Sequence, residues 1–284
     1  PLSCRDLLAA TPLPLRRQLS GLSLAGKIGG TLELAYSPAG PHLRPSVTHD
    51  CRVLVDGALA DPGKLLQPFE LDRQGSRITV GAGPAYAPLS SLPKHVPSAF
   101  VSAEDGRFWR HDGFDQRQIE RSLGANLDAG RILRGGSTIT QQLVKNVYLD
   151  RSRTLARKLQ EAVITWRVEA VTNKKQILDR YLNLIELGPQ SYGIESASQY
   201  WFGRSAADLS IRQAAFLAAL TRAPQTESRR IHQSGTIPAA LAVRIDGILR
   251  AMRRDRSISE ASLRGALSED LSLAPLQAAA IRSR

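Results

Sequence analysis

The chain has 284 residues, 42% of them hydrophobic, which is enough for one substantial core and a smaller one and favours two domains. A net charge of +12 and a pI near 10.3 favour an anionic partner, either nucleic acid or a membrane surface. With 5% aromatic residues and no nucleic-acid-binding motif, the membrane is preferred, although an arginine-rich genome would produce the same charge excess.

The first third of the chain has the residue pattern of β-strands and turns. Runs at 31–37, 51–59 and 76–83 alternate apolar and polar residues between Gly, Pro and Asp, which is typical of β-hairpins, and a small β-rich domain is predicted over 1–90. Both cysteines, Cys4 and Cys51, lie there. They form one disulfide in an oxidising compartment, or else two buried thiols. The cysteines and histidines lack zinc-ligand spacing.

A nucleophile motif and a nucleotide motif are each only partly present. Ser91 and Lys94 satisfy S-x-x-K, but no K-T-G follows and Pro93 interrupts the helix that this chemistry needs. We interpret the segment as a linker. Gly81 and Gly83 lack the third glycine of a dinucleotide fingerprint and predict a turn.

The segment EDGRFWRHDGFD places an acid, a ring and an imidazole at helical spacing. If it is helical, Glu104, Phe108 and His111 share one stripe, which could line a cleft. The alternative is a solvated helix face with a structural histidine.

The segment GGSTITQQLVKN predicts a helix that begins after Gly135 and Gly136. Thr138 and Gln141 form a capping box. A polar row, predicted to face away from the core, comprises Thr138, Gln142 and Lys145, and an apolar row comprises Ile139, Leu143 and Val147.

The segment RTLARKLQE adds charges on a further helix. Glu161 is four residues after Arg157 and three after Lys158. Taken alone, this indicates an ordinary helix salt bridge. The predicted buried stripe comprises Leu155, Leu159, Val163 and Trp166.

These three segments occur together with KKQILDRYLNLIELGPQSYGIESASQYWFG and LSIRQAAFLAALTRAPQ, in that order. Over roughly residues 90 to 272 the chain resembles glycosyltransferase family 51, the peptidoglycan glycosyltransferases that polymerise lipid II. The resemblance implies a mainly α, lysozyme-like glycosyltransferase domain at 91–275 behind the β-rich part, α+β overall, with a tail at 276–284.

The resemblance also implies roles for individual residues. Glu104 matches the general base that takes the proton from the acceptor 4-hydroxyl, and Glu161 matches the second essential carboxylate. Cations around the donor pyrophosphate would be Lys145, Arg157 and Lys158, with Ser137, Thr138, Gln142, Asn146, Phe108 and His111 as cleft neighbours.

This allocation suits the chemistry. A sugar on pyrophosphate already has a good leaving group, so one base and fixed cations suffice. Direct displacement inverts the anomeric centre and gives a β-1,4 linkage. No cofactor is required, with Mg²⁺ or Mn²⁺ as an optional aid.

Two positions qualify the resemblance. Asp179 stands where the family has Glu, at a position that we interpret as supporting. The segment 122–136 corresponds to the family's mobile, membrane-facing jaw and carries Leu123 and Leu127 among arginines; a plain loop and short helix is the alternative.

The expected partners are lipid II, the growing glycan chain, the membrane surface and cell-wall synthesis proteins, and no nucleic acid. The expected location is the periplasmic face of the bacterial inner membrane. No run of about 18 apolar residues occurs, so the family's anchor is expected upstream of Pro1. The alternatives are a non-catalytic periplasmic scaffold that binds glycan or lipid, and a lytic transglycosylase.

Overall fold

The computed structural model describes residues 1–10, 22–37, 40–56, 60–73, 75–130, 136–149 and 155–274. It divides the chain into two compact units, each built from two stretches of sequence. Unit 1 comprises Pro1–Gly63 and Arg107–Asn173, and unit 2 comprises Lys64–Gly106 and Lys174–Arg284. The domain boundaries at residues 90 and 275 stay predictions.

Unit 1 combines an amino-terminal β part with three longer helices. Its strands are β1 (Leu2–Ser3), β2 (Leu22–Ala25), β3 (Lys27–Ser37), β4 (Gly40–His49) and β5 (Arg52–Asp56). Its helices are α1 (Cys4–Ala9), α3 (Gln116–Asp128), α4 (Ile139–Tyr148) and α5 (Leu155–Val171), with a 3-10 turn at Phe108–Arg110.

Unit 2 holds the remaining elements. Its helices are α2 (His95–Glu104), α6 (Lys174–Leu182), α7 (Ile194–Phe202), α8 (Ile211–Leu220), α9 (Pro224–Ser234), α10 (Ala239–Arg254) and α11 (Glu260–Ser268). Its strands are β6 (Phe69–Arg73), β7 (Ser76–Val80), β8 (Glu186–Gly188) and β9 (Ser191–Tyr192). The mainly helical fold class with small sheets is confirmed.

The predicted hairpins are present as antiparallel pairs. Strand β3 pairs with β4 from Ile28 opposite His49 to Ser37 opposite Gly40, and β6 pairs with β7. Strand β1 adds a third, short strand beside β3. The parts of the alternating runs at 31–37, 52–56 and 76–80 are strands, because a period of two matches the pleat.

A disulfide and a ring cluster tie the β part to the helices of unit 1. Cys4 and Cys51 form the disulfide, with a Cα–Cα distance of 5.8 Å, so the bridged alternative is the one found. Trp166 of α5 packs against this buried group. Its ring centroid lies 6.0 Å from that of His49 on β4 and 5.4 Å from that of Phe114.

Strand β4 is also fixed to α3 through the backbone of Val47. The Val47 N–H donates to Glu120 Oε1 at 3.0 Å, and the Val47 carbonyl accepts from the Gln116 side chain. These bonds pair strand-edge groups that would otherwise need water. On α3, Leu123 and Leu127 are each 40% exposed; residues 131–135 of the predicted jaw segment lie outside the described residues.

The core of unit 2 surrounds α8. Every residue of this helix from Gln213 to Leu220 is buried, and α2 and α10 pack against it. Trp201 is fully buried, donates its indole N–H to the Leu187 carbonyl at 2.8 Å, and packs 5.3 Å from Phe216 between ring centroids. Such a fully buried tryptophan satisfies its only polar atom, which makes α7, β8 and α8 one rigid group.

Candidate active site

Glu104 is the last residue of α2, and two side chains from other helices reach its carboxylate. Thr221, which caps α8, has its hydroxyl oxygen 2.5 Å from Glu104 Oε1. Arg244 of α10 has Nη2 3.6 Å from the same oxygen. The Glu104 side chain is 14% exposed, so this charge is held by specific partners rather than by bulk water.

The surroundings of Glu104 shift the titration of two neighbours. Tyr181 of α6 is fully buried; burial raises its pKa well above the usual value, and the negative charges of Glu104 and Asp105 act in the same direction. Burial lowers the pKa of Arg244, which Glu104 opposes. The Glu104 carboxylate therefore lies between a cation, Arg244, and a phenol that stays neutral, Tyr181.

The predicted helical stripe from Glu104 to His111 is wrong. Asp105 leaves the helical region at φ −157°, so α2 ends at Glu104. Phe108 then lies in a 3-10 turn and is fully buried, while His111 is extended at φ −139°. Phe108 and His111 do meet, with ring centroids 6.4 Å apart, within unit 1.

In unit 1 the carboxylate of Glu161 is buried, with its side chain 3% exposed. Its Oε1 accepts from the Gln141 amide at 3.1 Å and pairs with the Lys158 ammonium. A buried carboxylate needs such partners, since its desolvation otherwise costs several kcal/mol. This pair is therefore more than the exposed salt bridge that the helix spacing predicts. Lys158 itself is 51% exposed and can meet an anion from solvent.

Gln141 is the residue that the sequence reasoning missed. It completes the predicted capping box, which the structure confirms: the Thr138 N–H donates to Gln141 Oε1 at 3.1 Å. The NH2 of the same side-chain amide donates to Glu161. The sequence predicts the capping role of Gln141, because a cap signal is local. It does not predict the bond to Glu161, because that contact joins α4 to α5.

Thr138 also joins the first two segments of the motif series. Its hydroxyl donates to the Gly113 carbonyl at 2.6 Å, and Gly113 has φ +87°. A Cβ at Gly113 would lie 2.7 Å from the Thr165 methyl group, so only glycine fits against α5. Thr138 is thus fully buried, and the prediction that its whole polar row faces away from the core is wrong.

The other predicted binding residues occupy α4, α5 and the turn before α4. Lys145 is exposed, and Ser137, Gln142, Asn146 and Arg157 are half-buried. Asn146 donates to the Gln142 carbonyl at 2.8 Å, one turn earlier. On the apolar row, Ile139 and Leu143 are fully buried, and on α5 Val163 is buried with Leu159 and Trp166 half-buried.

Asp179 has a visible structural role. It accepts from the Tyr86 hydroxyl at 3.0 Å and from the Leu89 N–H at 2.8 Å, and it pairs with Arg180 at 3.2 Å. Burial raises the pKa of Tyr86, and Asp179 acts in the same direction. These bonds fix the segment that leads into α2. Ser91, two residues after Leu89, lies in a turn, and its hydroxyl donates to the Pro88 carbonyl at 2.8 Å.

Across the described ranges, no three His, Cys, Asp or Glu side chains are grouped so that they could hold a metal ion. In the same part of the chain, no helix combines the length and apolar character needed to cross a bilayer.

Residues 76–253 match the family model described as Transglycosylase. Penicillin-binding protein 1A of Aquifex aeolicus is 49% identical over 139 residues, which are 49% of this chain and 19% of that protein. A biosynthetic peptidoglycan transglycosylase of Acinetobacter baylyi is 49% identical over 134 residues, 47% of this chain and 60% of that protein. Penicillin-binding protein 1F of Bacillus subtilis is 40% identical over 144 residues, 51% of this chain and 20% of that protein.

The chain therefore spans between a fifth and three fifths of the length of these relatives. The family match covers more than half of the chain, and it contains Glu104, Gln141, Lys158 and Glu161. The chain belongs to the transglycosylase family.

Proposed function

We propose that the chain is a peptidoglycan glycosyltransferase. It polymerises lipid II into β-1,4-linked glycan strands and releases undecaprenyl pyrophosphate. The observation that carries this proposal is the carboxylate of Glu104, held at the end of α2 by Thr221 and Arg244. A carboxylate held in a fixed position can accept a proton from a sugar hydroxyl as a general base.

In the proposed reaction Glu104 removes the proton from the 4-hydroxyl of the acceptor sugar. The oxygen attacks the anomeric carbon of the donor, the bond to the pyrophosphate breaks, and the configuration inverts. Lys145, Arg157 and Lys158 neutralise the charge that develops on the departing pyrophosphate.

Glu161 acts in this scheme by fixing the cation beside it. Its buried carboxylate pairs with Lys158 and accepts from Gln141, so the ammonium group is restrained although half of the side chain is exposed. Restraint lowers the reorganisation needed when charge appears on the leaving group. The remaining cleft neighbours, Ser137, Gln142, Asn146 and His111, would orient the substrate. Thr138 and Phe108 are fully buried, so they would support the fold of this part rather than contact the substrate.

The proposal extends to partners and place. Lipid II is a membrane substrate, so the protein would work at the periplasmic face of the inner membrane, against the bilayer surface and with cell-wall synthesis proteins.

Added EDTA, followed by Mg²⁺ or Mn²⁺, tests whether a metal contributes to turnover; unchanged turnover is expected.

The test is incubation of the purified chain in detergent with labelled lipid II, with and without moenomycin, followed by gel separation. Moenomycin-sensitive glycan ladders are expected from the wild type, and none from Glu104→Gln with an unchanged circular dichroism spectrum. Ladders of normal intensity from Glu104→Gln would refute the base assignment. Intact lipid II with a folded wild type would favour a scaffold, and cleavage of preformed glycan a lytic enzyme.

The pyrophosphate role has its own comparison. Arg157→Ala should reduce turnover at least about tenfold, because it removes a cation from the leaving group. Arg253→Ala is the matched control, since that arginine pairs with Glu260 at 2.9 Å on the surface of unit 2. Equal losses in the two variants would refute the assignment.

A further inference from the structure

The hydroxyl of Thr221 lies within hydrogen-bond distance of two acceptors. Its oxygen is 2.5 Å from Glu104 Oε1 and 2.8 Å from the carbonyl oxygen of Ala218, one turn back on α8. A threonine hydroxyl has one proton to donate and two lone pairs that can accept. It therefore donates to one of these two oxygens at a time.

Each of the two acceptors of the Thr221 proton corresponds to one protonation state of Glu104. When Glu104 is ionised, Thr221 donates to the carboxylate. When Glu104 carries a proton, the carboxylic acid donates to the Thr221 oxygen, and the Thr221 hydrogen turns to the Ala218 carbonyl. Only hydrogen atoms move, so Thr221 and Glu104 stay hydrogen-bonded to each other in both states with the same heavy-atom positions.

We propose that Thr221 is a positioning residue that serves Glu104 in both protonation states. The inference rests on the proposed function. As the new oxygen–carbon bond forms and the bond to pyrophosphate breaks, the acceptor proton moves to Glu104. Thr221 then switches from donor to acceptor, and it switches back when Glu104 releases the proton to solvent before the next sugar is added.

Arg244 has a different part in the same group. Its guanidinium, 3.6 Å from Glu104 Oε1, has no lone pair to accept from a protonated Glu104, so it favours the ionised form only. Arg222 and Glu227 in turn act on the charge of Arg244. The charged and titratable groups linked to Glu104 are Arg244, Tyr181 and Asp105, and those linked to Glu104 only through Arg244 are Arg222 and Glu227.

The test compares three variants in the lipid II assay. Thr221→Val keeps the shape but removes the hydroxyl, and should lower kcat about tenfold to a hundredfold with KM for lipid II unchanged. Thr221→Ser restores the hydroxyl and should recover turnover to within about threefold of the wild type. Thr172→Val is the matched control, because Thr172 makes the same bond one turn back, to Val168 at 2.6 Å, near the end of α5.

The pH profile separates positioning from a structural effect. Loss of the donor disfavours ionised Glu104, so the acidic limb of the kcat profile should move to higher pH in Thr221→Val and stay in place in Thr172→Val. If Thr221→Val melts early, Thr221→Ala replaces it in the same comparison with Thr221→Ser.

The outcomes are distinct. A wild type without polymerase activity would refute the proposed function and this inference with it. An active wild type in which Thr221→Val keeps both its kcat and its pH profile would refute the inference alone. A lower kcat with the wild-type pH profile, or a loss that Thr221→Ser does not recover, would also overturn it.

Discussion

Removal of the Cys4–Cys51 disulfide should cost unit 1 much of its stability. The bridge closes a loop across a sequence separation of 47 residues. The chain-entropy relation for cross-links gives about 4 kcal/mol at 25 °C for a loop of this length. Since a domain is stable by roughly 5 to 15 kcal/mol, a loss of this size is about a quarter or more of that stability.

The variant is Cys4→Ala with Cys51→Ala, followed by hydrogen exchange of the α5 amides and of β2 and β5. These elements surround the bridge, since Leu24, Ile28 and Trp166 pack with the two cysteines. The opening free energy of these amides should fall by about 4 kcal/mol. A reductant should lower it similarly in the wild type and leave the variant unchanged. A fall below about 1 kcal/mol would refute the reasoning, because the bridge would then constrain little of the unfolded chain.

Three further perturbations follow from the contacts described above. Gly113→Ala should lower stability by at least about 2 kcal/mol more than Gly130→Ala, since both have positive φ but a Cβ meets nothing within 4 Å at Gly130. Urea titration of the two variants measures this difference. Equal unfolding midpoints would contradict the crowding of Gly113 against α5. Gln141→Leu should cost about 2 to 3 kcal/mol, because it removes a donor from buried Glu161, and a thermal melt within error of the wild type would contradict that bond's role. Because the pKa of Tyr86 is raised, the folded state holds the phenol proton more tightly than the unfolded state; the stability that this contributes is present below pH 10 and is lost as the pH rises above it. Between about pH 8 and 11 the melting temperature should therefore fall less steeply for Tyr86→Phe than for the wild type. Parallel curves of melting temperature against pH would contradict the assignment.

The elements that could be predicted from the sequence are those whose signals are local. The capping box of Thr138 and Gln141 spans three residues, and the strands at 31–37 and 76–80 follow from alternation alone. The end of α2 was not predictable, because continued helical spacing through His111 looks the same in the sequence as a helix that stops at Glu104.

The partners of the two carboxylates lie beyond such local patterns. Thr221 is 117 residues from Glu104 along the chain, and Gln141 is 20 residues from Glu161 on a different helix. The burial of Glu161 follows from the packing of α4 on α5 rather than from its spacing to Lys158. A resemblance located both acids, whereas only the fold could show what holds them.

Strand β4 is attached to α3 and α5, and these contacts cross the boundary of the family match. The span matched by the family begins at residue 76, after β1 to β5, yet His49 at the end of β4 and Cys51 just before β5 lie against Trp166 within the matched span. An expression fragment trimmed to that span would strip this cover from α5 and expose apolar surface prone to aggregation. The limits of the family match are therefore poor cutting points for this molecule, because helices of unit 1 inside the match pack against a segment outside it.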